Sequence, residues 1–326
     1  MSTRLGRFRL FGLAPVVAAG FLSSCGGRAP QRAMAPSSST ASPRTATVDW
    51  TAVDLAMGRA SVAQSDDVHR YNMPRSDLRV TVDGVVLRPS FALGSWLAMK
   101  PVADGVMAMG DLVLTDAEIE PVLSRLQAGG IEQTAIHHHV IRETPRVLYV
   151  HVHGHGDPVA IARAVRDAIA LTATPGPAAP GPAAPSAPAA PAFGLDTVAL
   201  ARALGYSGRV NGGVYQVSVP RTEVIRDGGM VIPAVMGLGT AINFQPTGEG
   251  KAAITGDFVL TAAEVNPVIR ALREGGIEVT SLHNHLLNDE PRLFFMHFWA
   301  NADALRLAQT LRGALAKTAS AAPPVR

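Results

Sequence analysis

A tandem repeat constrains this chain more than any other feature of its sequence. Residues Gly110–Asp157 match residues Gly256–Asp303 without a gap at an offset of 146, with 21 identities in 48 positions. The match continues upstream with small shifts, from Pro74-Arg75 and its counterpart Pro220-Arg221. Each copy has the length of an ordinary domain, so the sequence predicts two homologous domains.

The segment between the copies is rich in proline and alanine and carries no charge. Such a composition favours extended polyproline II and acts as a semi-rigid spacer. We therefore predict repeat domains at 48–171 and 194–316, a linker at 172–193 and a short tail at 317–326.

The hydrophobic pattern within each copy predicts a mixed fold. In the first copy, strands are predicted near 80–87, 91–99 and 106–114. In the second copy they are predicted near 214–219, 229–235, 239–245 and 252–260. The capping boxes Thr115-x-x-Glu118 and Thr261-x-x-Glu264 then begin a helix in each copy, which ends at a pair of glycines. Two further strands and a second helix follow. The prediction is an α+β domain, with a mostly antiparallel sheet and two helices in the order β-β-β-α-β-β-α.

The charge balance gives no indication of nucleic-acid binding. The formal net charge of the whole chain is +3, but three arginines lie in the first ten residues and three more in 26–47. The first repeat is net acidic and the second is close to neutral. Tracking a phosphate backbone requires a basic excess that neither domain carries, so we expect no nucleic-acid partner.

The N-terminus has the pattern of an export signal. A basic segment at 1–9 precedes an apolar run at 10–22, which is shorter than the roughly 20 residues of a spanning helix. The run ends in Leu22-Ser23-Ser24-Cys25, which resembles the bacterial lipobox, and Cys25 is the one cysteine of the chain. We predict a lipoprotein signal peptide at 1–25, lipidation of Cys25, a flexible tether at 26–47 and a membrane partner reached through the lipid.

Histidines provide the strongest chemical signal. Nine of the ten lie in the last strand pair of the two repeats. Three positions are histidine in both copies, as the repeat offset shows: His137 and His283, His139 and His285, His151 and His297. Residues two apart on a strand share a face, and three imidazoles with an open position can hold zinc or another divalent metal. Alternatively, these histidines pack in the core or hydrogen-bond a ligand.

Strand geometry argues against a metal site within a single tight hairpin. A short loop would pair His283 with a residue near Leu293, and His297 would then lie about 13 Å further along the strand. A longer loop, a bulge or a bend is needed to bring these imidazoles together. Nitrogens more than about 5 Å apart cannot share one ion, since zinc–nitrogen bonds are about 2.0–2.1 Å.

Other charged residues have simpler interpretations. Arg146 and Arg292 follow a proline beside Glu143 and Asp289, so they either bind an anion or form local ion pairs, the latter being favoured. Glu118 and Glu264 fit their capping boxes better than a catalytic role. Asp111 and Asp257 follow glycine and are interpreted as turn residues. His153 and His155 have Trp299 and Asn301 as counterparts, so a role for them would be confined to the first copy.

The repeated strings GDFVLT, AAEVNPVIRALREGGIEVTSLHNH and PRLFFMHFWA resemble the LppY/LpqO family of bacterial exported lipoproteins. The resemblance covers both copies. It implies export to the cell envelope and a domain without an assigned activity, and it supplies no catalytic residues. The first copy departs from the family pattern because His138 stands where the second copy has Asn284.

Three hypotheses for function follow. The favoured one is a membrane-tethered lipoprotein of the cell envelope that binds an envelope ligand or partner through its two domains. The second is a divalent-metal-binding protein or metal-dependent enzyme that uses the shared histidines. The third is a purely structural envelope protein. The sequence contains no P-loop, GxGxxG, GxSxG or HExxH.

Overall fold

Each repeat folds into a six-stranded antiparallel sheet, as a computed structural model shows for residues 47–177 and 193–322. The elements of the first repeat are α1 (Trp50–Met57), β1 (Val62–Ala63), β2 (His69–Pro74), β3 (Thr81–Val82), β4 (Val85–Val86), α2 (Pro89–Ala92), β5 (Gly94–Val102), β6 (Gly105–Thr115), α3 (Asp116–Ala128), β7 (Glu132–His137), β8 (Val147–Gly156) and α4 (Pro158–Ile169).

The second repeat follows the same plan. Its elements are α5 (Thr197–Leu204), β9 (Arg209–Asn211), β10 (Val214–Val219), β11 (Ile225–Asp227), β12 (Met230–Ile232), β13 (Thr240–Gly248), β14 (Lys251–Thr261), α6 (Ala262–Glu274), β15 (Glu278–His283), β16 (Asp289–Glu290), β17 (Leu293–Asp303) and α7 (Ala304–Leu315).

The strand order is equivalent in the two main sheets. It is β1-β2-β5-β6-β8-β7 in the first repeat and β9-β10-β13-β14-β17-β15 in the second. The last two strands of each repeat pair with each other, and the long strand β8 or β17 also pairs with β6 or β14. The two histidine-bearing strands of each repeat therefore lie at one edge of its sheet.

Helices cover the outer face of each sheet. In the first repeat α1, α3 and α4 bury an apolar cluster that includes Met57, Val122 and Val165 against the sheet. The second repeat does the same with α5, α6 and α7, through Leu204, Val268 and other apolar side chains. Both predicted capping boxes are present, with Thr115 and Thr261 as the N-caps of α3 and α6.

The inner faces of the two sheets pack against each other. One shared cluster joins Met107 and Met109 of the first repeat to Val259 and Phe295 of the second. Another joins first-repeat residues such as Val147 and Tyr149 to Trp299 and its neighbours. The repeats thus form four layers, helix–sheet–sheet–helix, with an apolar contact in the middle.

The predicted α+β class with antiparallel sheets is confirmed. The first helix (α1 or α5) and the first short strand (β1 or β9) of each repeat were not predicted. The next strand was predicted in the second repeat, as β10, but not in the first, where it is β2. The strand expected at 229–235 is shorter, and a single 3-10 turn at Ala234–Met236 follows it. No helix among the described residues is both long and apolar enough to cross a bilayer. The predicted signal peptide, Cys25, nearly all of the tether and most of the linker lie outside those residues.

Candidate metal centre between the two repeats

The six shared histidines meet in one place, at the contact between the two inner sheet faces. His137 ends β7 and His283 ends β15, and these two rings stack with centroids 3.6 Å apart. The loop residues His139 and His285 flank them, and His151 on β8 and His297 on β17 complete the group. We call this group, with the two aspartates described below, the histidine cluster.

A β-bulge and a long loop bring His283 close to His297, which a short hairpin would not do. The register of β15 shifts between Val279 and Ser281, and the chain makes a nine-residue excursion, including β16, before β17 begins. His283 consequently pairs with Phe295. A short hairpin would instead pair it with a residue near Leu293. Because Phe295 is only two residues from His297, the two imidazoles lie 4.8 Å apart between centroids.

The structure regroups the histidines across the repeats. The sequence assigned one trio to each copy, His137, His139 and His151 or His283, His285 and His297. Instead, three groups have ligand atoms within 4.8 Å of one another: His137, His151 and His283; His137, His139 and His297; and Asp257, His283 and His285. Two of these three groups combine residues of both copies. Their spacing lies inside the limit of about 5 Å for atoms that share an ion.

Two aspartates belong to the cluster, and the prediction that they are turn residues is wrong. Asp111 lies within β6 and is buried, and Asp257 lies within β14 and is mostly buried. Asp111 Oδ2 is 3.3 Å from His139 Nε2, and Asp257 Oδ2 is 2.9 Å from His285 Nε2. The signal that could have identified them is the repeat itself, which retains Gly-Asp at the same position of both copies.

Backbone carbonyls fix the orientation of two imidazoles. His297 Nδ1 lies 2.6 Å from the carbonyl oxygen of Gly256, and His151 Nδ1 lies 3.3 Å from that of Gly110. A carbonyl only accepts, so each Nδ1 carries the proton and donates. Nε2 of each ring is then the unprotonated nitrogen. That of His151 has no partner among the described residues, and that of His297 lies 3.3 Å from Nε2 of His137. A backbone carbonyl that orients Nδ1 is the usual outer-shell arrangement of a metal-binding histidine.

Many polar atoms of the cluster have no hydrogen-bond partner among the described residues. These buried atoms are Oδ1 of Asp111 and Asp257, Nδ1 of His137, Nε2 of His151 and both ring nitrogens of His283. Nε2 of His139 and Nε2 of His285 face the aspartate oxygens at 3.3 and 2.9 Å, but without the geometry of a hydrogen bond. Buried polar groups are ordinarily paired, and leaving one unpaired costs about 1–3 kcal/mol. So many orphan atoms facing one another indicate a site arranged for a ligand.

Burial keeps the imidazoles neutral. It lowers the pKa of His285 and of His297 to about 3. Burial, with the help of neighbouring imidazoles, also holds the pKa of His137, His151 and His283 well below its usual range. The same desolvation raises the pKa of the Asp257 carboxyl to about 6. At neutral pH the cluster therefore presents unprotonated nitrogens, the form that binds metals.

Reciprocal hydrogen bonds hold the histidine loops in place. The Thr134 hydroxyl of the first repeat donates to the backbone carbonyl of His285, 2.6 Å away. Thr280 of the second repeat donates in the same way to His139, also over 2.6 Å. Each repeat thus positions the histidine loop of the other, so the site exists only when both copies are in contact.

The arginines flagged in the sequence form ion pairs away from the cluster. Arg292 pairs with Asp289 at 2.9 Å, as expected, but Arg146 pairs with Asp116 rather than with Glu143. Glu118 and Glu264 combine their capping role with bonds to buried arginines, Arg75 and Arg221.

The remaining first-copy histidines pair with carboxylates instead of joining the cluster. His138 contacts Glu143 and His155 contacts Asp104, at 3.0 and 2.9 Å. His153 lies 3.4 Å from Asp227 of the second repeat.

The fold and the cluster define a class of protein, in which two copies of one α+β domain pack together and jointly build a single nitrogen- and oxygen-lined site. The chain belongs to the family described as Domain of Unknown Function (DUF1259), whose model matches residues 51–171 and 198–317. No curated protein matches the sequence.

Two solved structures show distant similarity. A trimeric bacterial microcompartment shell protein, PduB, is 14% identical over 78% of this chain and 88% of its own, with a TM-score of 0.19. EtuB from Clostridium kluyveri is 10% identical over 81% of this chain and 97% of its own, with a TM-score of 0.18. At such TM-scores neither similarity bears on fold or function.

Proposed function

We propose that this protein is an exported, lipid-anchored metal-binding protein of the cell envelope, with the histidine cluster as its metal site. The observation that carries the proposal is the convergence of six neutral imidazoles and two carboxylates, several of whose buried atoms lack a hydrogen-bond partner among the described residues. Imidazole and carboxylate donors without a thiolate suit zinc, copper and other divalent transition metals.

The spacing of the ring nitrogens supports coordination. Nε2 of His137 and Nε2 of His297 lie 3.3 Å apart. Two nitrogens bound to one tetrahedral ion at about 2.0–2.1 Å are separated by about 3.3–3.4 Å. The two nitrogens therefore already have the separation of neighbouring ligands on one ion.

Metal content tests the proposal. We expect the purified full-length chain to retain at least about one equivalent of Zn²⁺ or Cu²⁺ after dialysis, because the ligands are deprotonated and held in position. The His137→Ala/His283→Ala double variant should lose at least about tenfold in affinity. The exposed His155→Ala variant is the matched control and should bind as wild type. A wild-type chain that retains no metal, and whose unfolding temperature is unaffected by it, would sink the proposal.

The cellular location is proposed from the N-terminal sequence and from likeness to the LppY/LpqO lipoproteins. The apolar run at 10–22 ends at a lipobox-like segment, and a lipid on Cys25 would leave both repeats outside the cytoplasm. We expect Cys25→Ser to abolish incorporation of a labelled fatty acid. Unchanged labelling of this variant would show that the anchor is assigned wrongly.

A further inference from the structure

Residues at equivalent positions of the two repeats also make equivalent contacts within the histidine cluster. His139 lies 3.9 Å from His297 between ring centroids, and its counterpart pair His285 and His151 has the same separation. His137 and His151 are 4.9 Å apart, and their counterparts His283 and His297 are 4.8 Å apart. The cluster therefore consists of two equivalent halves, related by a pseudo-twofold axis that passes between the stacked rings of His137 and His283.

Each half contains four ligand side chains, three from one repeat and one from the other. We define half-site A as His137, His139, Asp111 and His297, and half-site B as His283, His285, Asp257 and His151. In half-site A, the ligand atoms of its three histidines lie within 4.8 Å of one another. In half-site B, the same holds for Asp257, His283 and His285.

Eight donors are too many for one ion. A divalent transition metal in a protein takes about four to six ligands, and zinc almost always four. Three imidazoles and one carboxylate make a complete four-ligand set, and the cluster has two such sets. The buried atoms without partners are distributed in the same way. Each aspartate has an unpaired Oδ1, and His137 and His283, the two stacked histidines, each have at least one unpaired ring nitrogen.

We propose that the histidine cluster is a two-metal centre, with one divalent transition-metal ion in each half-site. This inference rests on the proposed metal-binding function and specifies its stoichiometry and ligand sets. Because each ion takes ligands from both repeats, the two ions cross-link the inner faces of the sheets. The rival arrangement is a single ion near the axis, held by His137, His151 and His283, whose ligand atoms also lie within 4.8 Å of one another.

The experiment measures zinc per full-length chain by elemental mass spectrometry after saturation and dialysis. We expect about two equivalents for wild type, about one for His139→Ala, about one for His285→Ala and none for the double variant. His138→Ala is the control. Its ring lies beside His139 but contacts Glu143 at 3.0 Å, so this variant should retain two ions.

The aspartates provide a second test that preserves side-chain shape. Asp111→Asn and Asp257→Asn should each weaken one ion at least about tenfold and leave the other in place. Circular dichroism confirms that each variant is folded. With copper, the paramagnetic resonance of the second equivalent should show coupling to the first.

The measured stoichiometry distinguishes failure of the two-metal centre from failure of the proposed metal-binding function. One equivalent in wild type that vanishes in both His139→Ala and His285→Ala would establish a single shared ion and overturn the two-metal centre. No metal in wild type would instead remove the proposed function itself.

Discussion

At the scale of single residues, two buried arginines determine how each sheet joins its first long helix. Arg221 donates to Glu264 and to the Val259 carbonyl, both at 2.7 Å, and to Glu223 at 2.8 Å. Arg75 repeats the arrangement with Glu118, the Val113 carbonyl and Asp77. Burying a guanidinium is costly unless its donors are paired, and here the partner glutamate is also the capping residue of the helix.

We predict that Arg221→Met lowers the free energy of unfolding by about 3 kcal/mol, since it leaves Glu264 and Glu223 without their partner in a mostly buried site. Urea unfolding of the purified chain measures the change. Arg146→Met is the matched control, because the Arg146 and Asp116 side chains are 60% and 54% exposed. Its effect should stay within about 1 kcal/mol. Equal effects of the two substitutions would contradict the assigned role.

At the scale of elements, the close approach of strands shapes the histidine cluster. Gly256 sits in the middle of β14, and a Cβ there would run into the carbonyl of Ala241 on β13 and lie 2.9 Å from the Phe298 ring. Gly110 is placed in the same way, with a Cβ meeting the Trp96 carbonyl at 2.6 Å. Each glycine carbonyl also receives the Nδ1 proton of a cluster histidine. The sequence shows the paired glycines, but only the folded sheet shows that a carbonyl of the adjacent strand excludes a Cβ at both positions.

Substitution of Gly256 by alanine should push β13 and β14 apart. We expect a loss of at least about 2 kcal/mol in stability, together with weaker metal binding, because the Nδ1 acceptor of His297 moves. Gly313→Ala is the control, since it lies within α7 with open space around its Cα. That substitution should stabilise the chain by about 0.5–1 kcal/mol. Thermal unfolding of both variants checks that one substitution lowers stability and the other raises it. A Gly256→Ala variant with unchanged stability would refute the close-packing argument.

At the scale of the whole molecule, the cluster joins two domains while keeping its histidines uncharged. The pKa values of His285 and His297 in the folded protein, about 3, lie below the value of about 6.5 for an exposed histidine. Below pH 6.5 the unfolded chain therefore binds more protons than the folded one. Stability must fall as the pH drops from about 6.5 towards about 3, by about 1.4 kcal/mol per pH unit for each such histidine.

We predict that His285 and His297 together lower the stability of the metal-free protein by up to about 2.7 kcal/mol per pH unit below about pH 6. Asp257 opposes this in part. Its folded pKa of about 6 lies above its ordinary value, so it favours the folded state increasingly as the pH falls from 6 to 4. Urea unfolding in the presence of a chelator measures the slope. His285→Asn should reduce it by about 1.4 kcal/mol per pH unit, and a flat profile would disprove neutral burial.

The sequence by itself determined the duplicated α+β domains, the capped helices and the identity of the six shared histidines, because these depend on local periodicity and on direct comparison of the two copies. It did not determine which histidines are neighbours, nor that Asp111 and Asp257 lie among them. Those facts depend on the bulge that sets the register of β15, on the long loop before β17 and on the packing of one sheet against the other. Such contacts join residues far apart in the chain, as between Thr134 and His285, which are 151 positions apart. Only the tertiary structure decides them, because pairing distant strands depends on how all the side chains between the two sheets pack at once.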